Sequence, residues 1–477
     1  MTPEISIDPE IQKRIDAVFS RQLEHRRTVS LTSVQERRAK LKRILDWLLD
    51  HRQEIQRAME KDYAKPPSEV DLSEIWAVVS EIRHIRRRLK RWMKPRKVAP
   101  TLPLLTAEGW IQYEPKGVVL IISPWNFPFN LTLSPLISAI AAGNCAILKP
   151  SEFTPHSAAL METLVTDLFP EEEIALFQGD RFVAETLLAK PFHHIFFTGS
   201  PEVGKKVMAA AAHHLTTVTL ELGGKSPTIV DRTANLKVAA DKIAWGKYFN
   251  CGQVCLAPDY LLVETSVVEP FLDHLKAAVK QKFAGGGDFK HSPDYGRIVN
   301  QRHHRRLTEV LTKTLEQGAE LVLGGEVDPD QAYMEPTIVR SVTPESPLME
   351  TEIFGPILPV LTFESLDEAL DLINQKPKPL GLYIFSRNRK TIKRILAETS
   401  AGGTSINEVI LHYFQLNLPF GGINNSGFGR SHGEFGFKAF SNERAVMRNM
   451  EHSPLKILHP PYTPFVKKVI DWTLKYF

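Results

Sequence analysis

Cysteine is scarce in this chain: Cys145, Cys251 and Cys255 are the three thiols among 477 residues. So small and odd a count excludes a disulfide framework and is typical of a reducing compartment such as the cytoplasm, where a thiol is either reactive or buried. Cys251 and Cys255 lack the spacing of a zinc site, and no nearby Cys or His completes a set of four ligands. No metal site is therefore predicted.

A large net charge and a membrane-length apolar run are also missing. Lys plus Arg total 59 and Asp plus Glu total 55, so the net charge of +4 is too small to predict a nucleic-acid partner. The first ten residues are acidic and have no apolar core, so no signal peptide is expected. Pro135 and Asn144 interrupt the most apolar stretch, 131–148, which predicts a buried helix followed by a strand and not a membrane span.

What remains is an ordinary globular composition, with 43% hydrophobic and 24% charged residues. From residue 117, short β-rich runs alternate with helical stretches, and the strand candidates are 118–122, 146–148, 194–197 and 217–222. Such alternation predicts βαβ units around a parallel sheet, with ligands at the carboxyl ends of the strands. A similar alternation runs from about 227 to 400, so we expect two α/β units in series.

Two segments in the first hundred residues have the pattern of amphipathic helices. Ser33 and Glu36 form a capping box ahead of an apolar stripe. The segment 82–92 carries six basic residues, which would suit a phosphate or nucleic-acid contact, but its apolar residues recur at helical spacing. We therefore interpret it as a scaffold helix with a solvated basic face.

The last 14 residues predict a separate amphipathic helix. Thr463 is expected to cap it and Pro464 to begin it. Lysines occupy one face, and the opposite face is an aromatic and aliphatic stripe of Phe465, Val469, Trp472 and Tyr476. Such a helix either docks on its own body or a partner subunit, or lies in a membrane interface. Both alternatives stay open.

The strongest chemical signal is the segment from Phe249 to Cys255, which contains two thiols. A nucleophilic thiol needs a base or a positive group nearby, and an acyl-transfer site needs a donor for the oxyanion. Glu221 closes a β run before a Gly-Gly turn, and Asn126 follows another strand, where α/β proteins place catalytic groups. Each also has an ordinary explanation as a turn residue.

A glycine loop from Gly199 to Gly204 follows a strand and precedes an Ala-rich helix. It superficially matches the phosphate-binding loop of nucleotide triphosphatases, but Lys206 stands where that motif needs a Ser or Thr for magnesium. It also lacks the G-x-G-x-x-G of the common dinucleotide fingerprint. By itself it predicts a helix amino terminus facing an anion.

Seven motifs then occur in order: PWNFP at 124–128, KPSE at 149–152, the glycine loop at 197–204, ELGGKSP at 221–227, GQVC at 252–255, EIFGP at 352–356 and LPFGG at 418–422. Together they resemble the aldehyde dehydrogenase superfamily over about residues 10 to 450. The short lead before the first strand and the APDY that follows the GQVC motif are similar to its class 3 and fatty-aldehyde branch.

The resemblance implies a covalent mechanism. Cys255 matches the nucleophile, which forms a thiohemiacetal and then a thioester. The Asn126 side-chain amide and the Cys255 backbone N–H match the oxyanion hole, and Glu221 matches the base that activates water for hydrolysis. Cys251 would share a face with Cys255 if this segment were helical, and we interpret it as a small buried residue.

The resemblance also implies a nicotinamide cofactor. The matching cofactor positions are Trp125, Lys149, Glu152, Gly199, Ser200, Gly204, Glu352 and Phe354. Lys225 and Asn407 resemble supporting positions. A carboxylate at Glu152 accepts hydrogen bonds from the ribose of NAD and repels a 2′-phosphate, so NAD is expected, with NADP as the alternative.

The implied fold class is α/β: two doubly wound α/β domains, a Rossmann-like cofactor domain and a catalytic domain, with a small β oligomerisation arm. The expected ranges are 1–103 and 117–222 for the NAD(P)-binding domain, 223–430 for the catalytic domain, 104–116 and 431–450 for the arm, and 451–477 for a C-terminal tail. Residues 111–116 are expected to pair with residues near 437–449. Because unpaired arm strands seek a sheet edge on another subunit, a homodimer is expected.

The expected function is NAD(P)-dependent oxidation of apolar medium-chain, long-chain or aromatic aldehydes to carboxylic acids. An acylating relative that passes the thioester to coenzyme A tends to lack the base, so Glu221 argues against it. A binding protein without activity is disfavoured by the joint presence of Cys255, Glu221, Asn126 and Glu352. The tail helix is expected to gate the substrate funnel, contact lipid or pack on a partner.

Overall fold

Helices fill the first hundred residues, as their apolar periodicity predicts. The computed structural model describes residues 7–101, 104–451, 455–456 and 459–476. Residues 1–6, in the opening segment where no signal peptide is expected, lie outside the described ranges. Parts of the predicted tail 451–477 lie outside them as well. The elements here are α1 Pro9–Ser30, α2 Val34–Asp50, α3 Arg52–Tyr63, α4 Pro67–Val70, a π-helical turn Asp71–Ile75, α5 Trp76–Trp92, and the arm strands β1 Arg96–Val98 and β2 Glu108–Pro115.

Two of these helices confirm the sequence predictions directly. At the start of α2, the Ser33 hydroxyl accepts from the Glu36 N–H at 3.2 Å and the Glu36 carboxylate accepts from the Ser33 N–H at 2.6 Å, which completes the capping box. In α5 the apolar stripe from Ile82 to Trp92 is buried, whereas Arg83 and Arg87 are exposed. The basic segment is therefore an amphipathic helix.

A parallel sheet follows. Its strands are β3 Val118–Ile122, β4 Cys145–Lys149, β5 Ile174–Leu176, β6 His194–Gly199 and β7 Thr217–Leu222, and the helices between them are α6 Pro128–Ala142, α7 Pro155–Leu168, α8 Arg181–Leu188 and α9 Pro201–Ala212. Val119 packs in a cluster with α5 and α6, and its neighbour Val118 packs in a second cluster with α1. Helices thus cover both faces, which explains why every residue of β3 and β4 is buried. All four strand candidates are confirmed.

The second α/β unit is built in the same way. Its elements are β8 Pro227–Val230, α10 Leu236–Tyr248, β9 Tyr260–Glu264, α11 Val268–Phe283, α12 Gln301–Glu316, β10 Glu320–Leu323, β11 Val327–Asp328, β12 Tyr333–Met334, β13 Thr337–Arg340, β14 Ile357–Phe363, α13 Leu366–Gln375, β15 Gly381–Phe385, α14 Arg389–Glu398 and β16 Gly403–Ile406. Seven strands form one sheet in the order β10-β13-β14-β9-β8-β15-β16. The pairing is parallel except that β10 runs antiparallel to β13. Two doubly wound units are therefore present.

The chain then returns to the first sheet. Strand β17 (Gly427–Phe428) pairs antiparallel with β7, which gives the order β17-β7-β6-β3-β4-β5. After α15 (Gly433–Ala439), β18 (Ser441–Arg448) pairs antiparallel with β2 in a three-stranded arm. The predicted arm pairing is confirmed, but residues 437–439 belong to α15. The domain ranges themselves stay predictions.

The tail ends in the predicted helix, α16 (Pro464–Tyr476). The Val466 N–H donates to the Thr463 hydroxyl at 3.3 Å, so Thr463 caps the helix as expected. Val466 is buried, whereas Phe465 is 64% exposed and Tyr476 60% exposed. In the part of the chain that is described, no helix combines the length and the apolarity that crossing a bilayer requires.

Candidate active site

The carboxyl ends of four parallel strands bring predicted site residues to one edge of the first sheet. Lys149 and Gly199 are the last residues of β4 and β6, and Glu221 is the last but one of β7. Asn126 follows β3 in the turn before α6. Parallel strands of one sheet end at the same edge, so residues far apart in sequence converge here.

A cavity of about 780 Å³ opens at this edge. The predicted site residues in its wall are Trp125, Asn126, Gly199, Ser200, Glu221, Cys255, Glu352 and Phe354. Lys149, Glu152 and Gly204 lie outside the wall, and the Lys149 ammonium contacts the Glu152 carboxylate at 3.1 Å. Asn407 is placed elsewhere, because its amide exchanges two hydrogen bonds with the backbone of Ser386.

A second cavity, of about 390 Å³, adjoins Cys255. Its wall is mainly apolar and includes Trp76, Phe127, Trp245, Phe249, Val254 and Phe414. Cys255 lines both cavities and is half-buried. The thiol therefore lies where a cavity with charged side chains in its wall, including Glu221 and Glu352, meets a cavity with an apolar wall.

The segment before Cys255 is a left-handed turn and not a regular helix. Asn250 and Cys251 have φ values of 52° and 55°, and Gly252 follows at 71°. The segment is therefore not the regular helix that would have placed Cys251 on the same face as Cys255. Cys251 is buried instead, with its sulfur 3.3 Å from the Tyr295 hydroxyl, which confirms its interpretation as a buried residue.

Asn126 is held against this turn by three hydrogen bonds. Its side-chain amide donates to the Gln253 carbonyl at 3.0 Å. Its own carbonyl accepts from the Tyr63 hydroxyl at 2.8 Å and from the Asn250 amide at 3.0 Å. Since an amide NH₂ has two donors, one N–H of Asn126 remains for another acceptor.

The surroundings of Cys255 favour the neutral thiol. Burial raises the pKa of Cys255 well above its ordinary value, and the carboxylates of Glu352 and Glu221 raise it further. The backbone N–H groups of Cys255 and Leu256 act in the opposite direction on this pKa. A thiol in this position needs a proton acceptor before it can attack a carbonyl.

The Glu221 carboxylate has one hydrogen-bonded oxygen and one without a partner. The Ser431 hydroxyl donates to Oε1 at 2.9 Å, and Oε2 is buried with no hydrogen bond. Burial raises the pKa of Glu221 to about 8, against the opposing effects of Ser431 and Arg430. A carboxylate of that pKa exchanges protons readily near neutral pH.

Glu352 and Phe354 enter the cavity from the segment before β14. The Glu352 carboxylate lies on the Gly223–Gly224 turn, where any side chain at Gly223 would collide with it. Its Oε1 has no partner, and burial together with Asp259 raises the pKa of Glu352 to about 8. Phe354 has a left-handed φ of 48° and packs edge-on against Trp125 at 5.3 Å.

The glycine loop forms a strand–turn–helix cradle. The Ser200 hydroxyl accepts from the Val203 N–H at 3.3 Å and caps α9. A Cβ at Gly204 would lie 2.7 Å from Leu222, so glycine allows α9 to pack closely on β7. This cradle for an anion, together with the unpaired Glu352 oxygen for a hydroxyl, fits a dinucleotide.

A buried ion pair holds the segment that carries Glu352. The Lys225 ammonium contacts Asp259 and donates to the carbonyls of Leu348 at 2.7 Å and Thr351 at 2.9 Å. The other Asp259 oxygen accepts from the Ile353 N–H at 2.8 Å. Lys225 therefore anchors the segment that carries Glu352, and its supporting role in the site stays a prediction.

Sequence reasoning missed several residues of the cavity wall. Ser431, His432, His303 and Tyr413 all line it. No local pattern marks them: Ser431 lies 210 residues from Glu221 and reaches it only because β17 returns to the first sheet. Across the described ranges, no group of three His, Cys, Asp or Glu is arranged to hold a metal ion.

Residues 7–446 match the model of the Aldehyde dehydrogenase family. Three relatives match over most of their length. The 4,4'-diaponeurosporen-aldehyde dehydrogenase of Staphylococcus aureus is 42% identical, covering 91% of this chain and 94% of the relative. From Mus musculus, aldehyde dehydrogenase family 3 member A2 is 42% identical, covering 90% and 87%, and the dimeric NADP-preferring aldehyde dehydrogenase is 45% identical, covering 81% and 84%.

Solved structures of aldehyde dehydrogenases superpose on this chain over most of its length. The substrate-bound AldH of Staphylococcus aureus superposes with a TM-score of 0.92 at 40% identity, covering 96% of this chain and 99% of that one. An NAD⁺ complex of aldehyde dehydrogenase from Bacillus cereus gives 0.84 at 27% identity, covering 92% and 89%.

Proposed function

The chain belongs to the aldehyde dehydrogenase family, and we propose that it oxidises apolar aldehydes to carboxylic acids through a covalent intermediate on Cys255. One observation carries the proposal: the Cys255 thiol lies between an apolar cavity and a cavity that contains Glu221, Glu352 and the glycine loop. A substrate entering from one side and a cofactor entering from the other would meet at the sulfur. Such convergence is what transfer between two bound molecules requires.

The chemistry begins with attack by sulfur. The Cys255 thiol gives its proton to water in the cavity, the sulfur bonds to the aldehyde carbon, and the carbonyl oxygen becomes an oxyanion. The free N–H of Asn126 and the backbone N–H of Cys255 stabilise that oxyanion, a contribution worth about 10² to 10³ in rate per donor. NAD⁺, when bound, supplies the acceptor for the hydride that leaves the same carbon.

Hydrolysis completes the reaction. Glu221 takes a proton from a water molecule, the hydroxide adds to the thioester carbon, and the carbon–sulfur bond breaks to release the carboxylic acid. The unpartnered Oε2 of Glu221 is the atom available to take that proton. A release of the acyl group to coenzyme A is the alternative, and the location of Glu221 in the cavity wall argues for water.

The cofactor assignment rests on the cavity that contains Glu221 and Glu352 and on Lys149, Glu152 and Gly204 outside its wall. Lys149 and Glu152 would hold the adenosine ribose, Gly199, Ser200 and Gly204 the pyrophosphate, and Glu352 the nicotinamide ribose, with Phe354 and Trp125 against the ring. NAD is favoured because the exposed Glu152 carboxylate repels a 2′-phosphate. NADP stays the alternative, in line with one relative solved with NAD⁺ and another named NADP-preferring.

The substrate class follows from the apolar cavity. Its walls of Trp76, Phe127, Trp245 and Phe414 offer few hydrogen bonds and suit a medium-chain, long-chain or aromatic aldehyde. We place the enzyme in the cytoplasm, since its three cysteines are free thiols. We also expect a homodimer through the arm of β1, β2 and β18, a state that a relative named dimeric supports.

The tail helix α16 would make the enzyme peripheral to lipid. Phe465 and Tyr476 are exposed on it, Lys467 and Lys468 are exposed as well, and Val466 alone of its described side chains is buried. Aromatic and basic residues divided in this way suit the bilayer interface. In a liposome flotation assay we expect the full chain to bind anionic vesicles and a chain ending at residue 458 to remain unbound; equal binding of the two would contradict this role.

An activity assay and the detection of a covalent acyl adduct test the proposed function. The full chain, NAD⁺ and aldehydes of increasing length should give NADH, with kcat/KM rising with chain length. Cys255→Ser should abolish NADH formation while the matched control, Cys251→Ser, retains it, because Cys251 contacts Tyr295 and lines neither cavity. Mass spectrometry of enzyme quenched during turnover should find the acyl group on Cys255; an adduct elsewhere would refute the assignment.

A further inference from the structure

Glu221, the assigned base, is oriented by a single hydroxyl. Among the described residues, Ser431 is the side chain that donates to the Glu221 carboxylate, with Oγ 2.9 Å from Oε1. Glu221 is 5% exposed, so contacts within the protein determine how its carboxylate is oriented. The two carboxylate oxygens are therefore unequal: one is held and the other has no partner.

The Ser431 hydroxyl is itself held in place by backbone contacts. The Ser431 N–H donates to the Phe420 carbonyl at 2.6 Å, and the Phe420 N–H donates to the Ser431 carbonyl at 3.3 Å. The hydroxyl has one proton, and the competing Phe420 carbonyl is farther, at 3.4 Å. The closer acceptor is the Glu221 carboxylate, so the backbone pair fixes the hydroxyl where it serves Glu221.

We propose that Ser431 is a positioning residue for Glu221: its hydroxyl holds Oε1 and leaves Oε2 as the oxygen that takes the proton from the hydrolytic water. The proposal rests on the proposed function, because it assumes that Glu221 acts on a Cys255 thioester. The step balances without any further reactant: the water proton moves to Oε2, the hydroxide forms the new carbon–oxygen bond, and the carbon–sulfur bond breaks to release the Cys255 thiolate.

The contact has a second consequence, for the pH dependence of hydrolysis. A hydroxyl that donates to a carboxylate stabilises its ionised form and lowers its pKa, and Ser431 acts on Glu221 in that direction. Removing the hydroxyl should therefore move the ionisation of Glu221 to higher pH. Below that pH the base is protonated and hydrolysis stops.

The other charged groups near Glu221 would be unchanged by this substitution. They are Arg430 on the loop of Ser431, Cys255 across the cavity, and Glu352, Lys225 and His432 along its wall. The backbone pair between residues 420 and 431 also survives, because no side-chain atom takes part in it. Comparing Ser431→Ala with the wild type therefore isolates the hydroxyl.

The test uses hydrolysis of p-nitrophenyl acetate by the full chain in the absence of nicotinamide. The ester acetylates Cys255 and releases nitrophenolate in a burst, and the steady rate then reports removal of the acetyl group. For Ser431→Ala we expect a normal burst, a steady rate lower by about tenfold, and a rising limb of the pH–rate profile that lies about one pH unit higher. Acetyl-Cys255 should accumulate in the mass spectrum.

Two variants control the result. Ser431→Thr keeps a hydroxyl and should restore the wild-type pH limb. Ser441→Ala removes another buried hydroxyl, which donates to the Phe437 carbonyl at 2.7 Å outside the cavity wall, and should change neither rate nor limb. Because the burst counts active sites, a partly unfolded preparation does not lower the rate per site.

The proposal would be overturned if Ser431→Ala had the pH–rate profile and the acetyl-Cys255 lifetime of the wild type. It would also be overturned if Ser431→Thr showed the same defects as Ser431→Ala. Failure of the underlying function is a separate result. It would show as the absence of any acetyl adduct on Cys255 in the wild-type protein, before a Ser431 variant is made.

Discussion

Replacing Glu221 by Gln should produce opposite effects on activity and on stability. The pKa of Glu221 is raised from 4.5 to about 8 by burial. In the wild-type protein, hydrolysis should therefore rise as pH increases through about 8, and at pH 7 only about a tenth of the carboxylate is ionised. Glu221→Gln removes the base, so turnover should fall by about 10² or more and lose this limb.

The stability effect has the opposite sign. Because the folded pKa lies above the unfolded value, the unfolded chain binds fewer protons between pH 4.5 and 8, and the free energy of unfolding falls as pH rises through that window. The cost at pH 8 is up to about 5 kcal/mol. A neutral glutamine avoids it, so the variant should gain stability relative to the wild type at pH 8 but not at pH 4.5.

Two measurements check this pair of effects. Stopped-flow assays with a saturating aldehyde should show a burst of NADH in Glu221→Gln without steady turnover, and urea unfolding at pH 5 and pH 8 should give the stability difference. Glu171→Gln, a surface carboxylate paired with Arg14 and Arg21, is the matched control and should leave turnover and its pH limb unchanged. A variant whose rate still rises through about pH 8 would refute the assignment of Glu221 as the base. A stability difference that is the same at both pH values would refute the effect of its burial.

Other variants test the cofactor side. Glu152→Gln removes the charge that opposes a 2′-phosphate, so the ratio of kcat/KM for NADP to that for NAD should rise by roughly tenfold in steady-state assays; an unchanged ratio would contradict a ribose contact at Glu152. Lys225→Met leaves the buried Asp259 unpaired and should cost about 3 to 5 kcal/mol of stability in urea unfolding. It should also weaken NAD binding in calorimetry, because Lys225 holds the segment that carries Glu352. Adding Asp259→Leu should recover stability without restoring NAD binding, and recovery of both would refute the tethering role.

Local sequence patterns predicted many of the strands and helix starts. The apolar run at Val118–Ile122 predicted a strand of a parallel sheet, and all five of its residues are buried. The capping box at Ser33 and the Thr463–Pro464 pair each predicted a helix start that the structure confirms. These signals succeed because caps and periodic burial depend on residues a few positions apart.

The site was predicted in outline through its ordered motifs, and its conformation was not. The left-handed backbone at Asn250 and Cys251 excludes the regular helix that would have aligned Cys251 with Cys255. Nothing in the intervening residues marks that turn, because contacts from Tyr295 and from the carboxylate of Glu69 hold it, the latter accepting from the Asn250 N–H at 3.0 Å. Such contacts arise only when segments that are distant in sequence pack together.

By itself, the sequence determined which residue types are available for catalysis and which strands they follow. Both depend on short segments, because strand positions and motifs are local features of the chain. Only the tertiary structure decided that Cys255 would lie between an apolar cavity and one that contains Glu221 and Glu352, and that Ser431 would reach Glu221 after β17 returned to the first sheet. The reason is physical: a hydrogen bond acts over about 3 Å, and whether two groups come that close depends on the packing of the whole core.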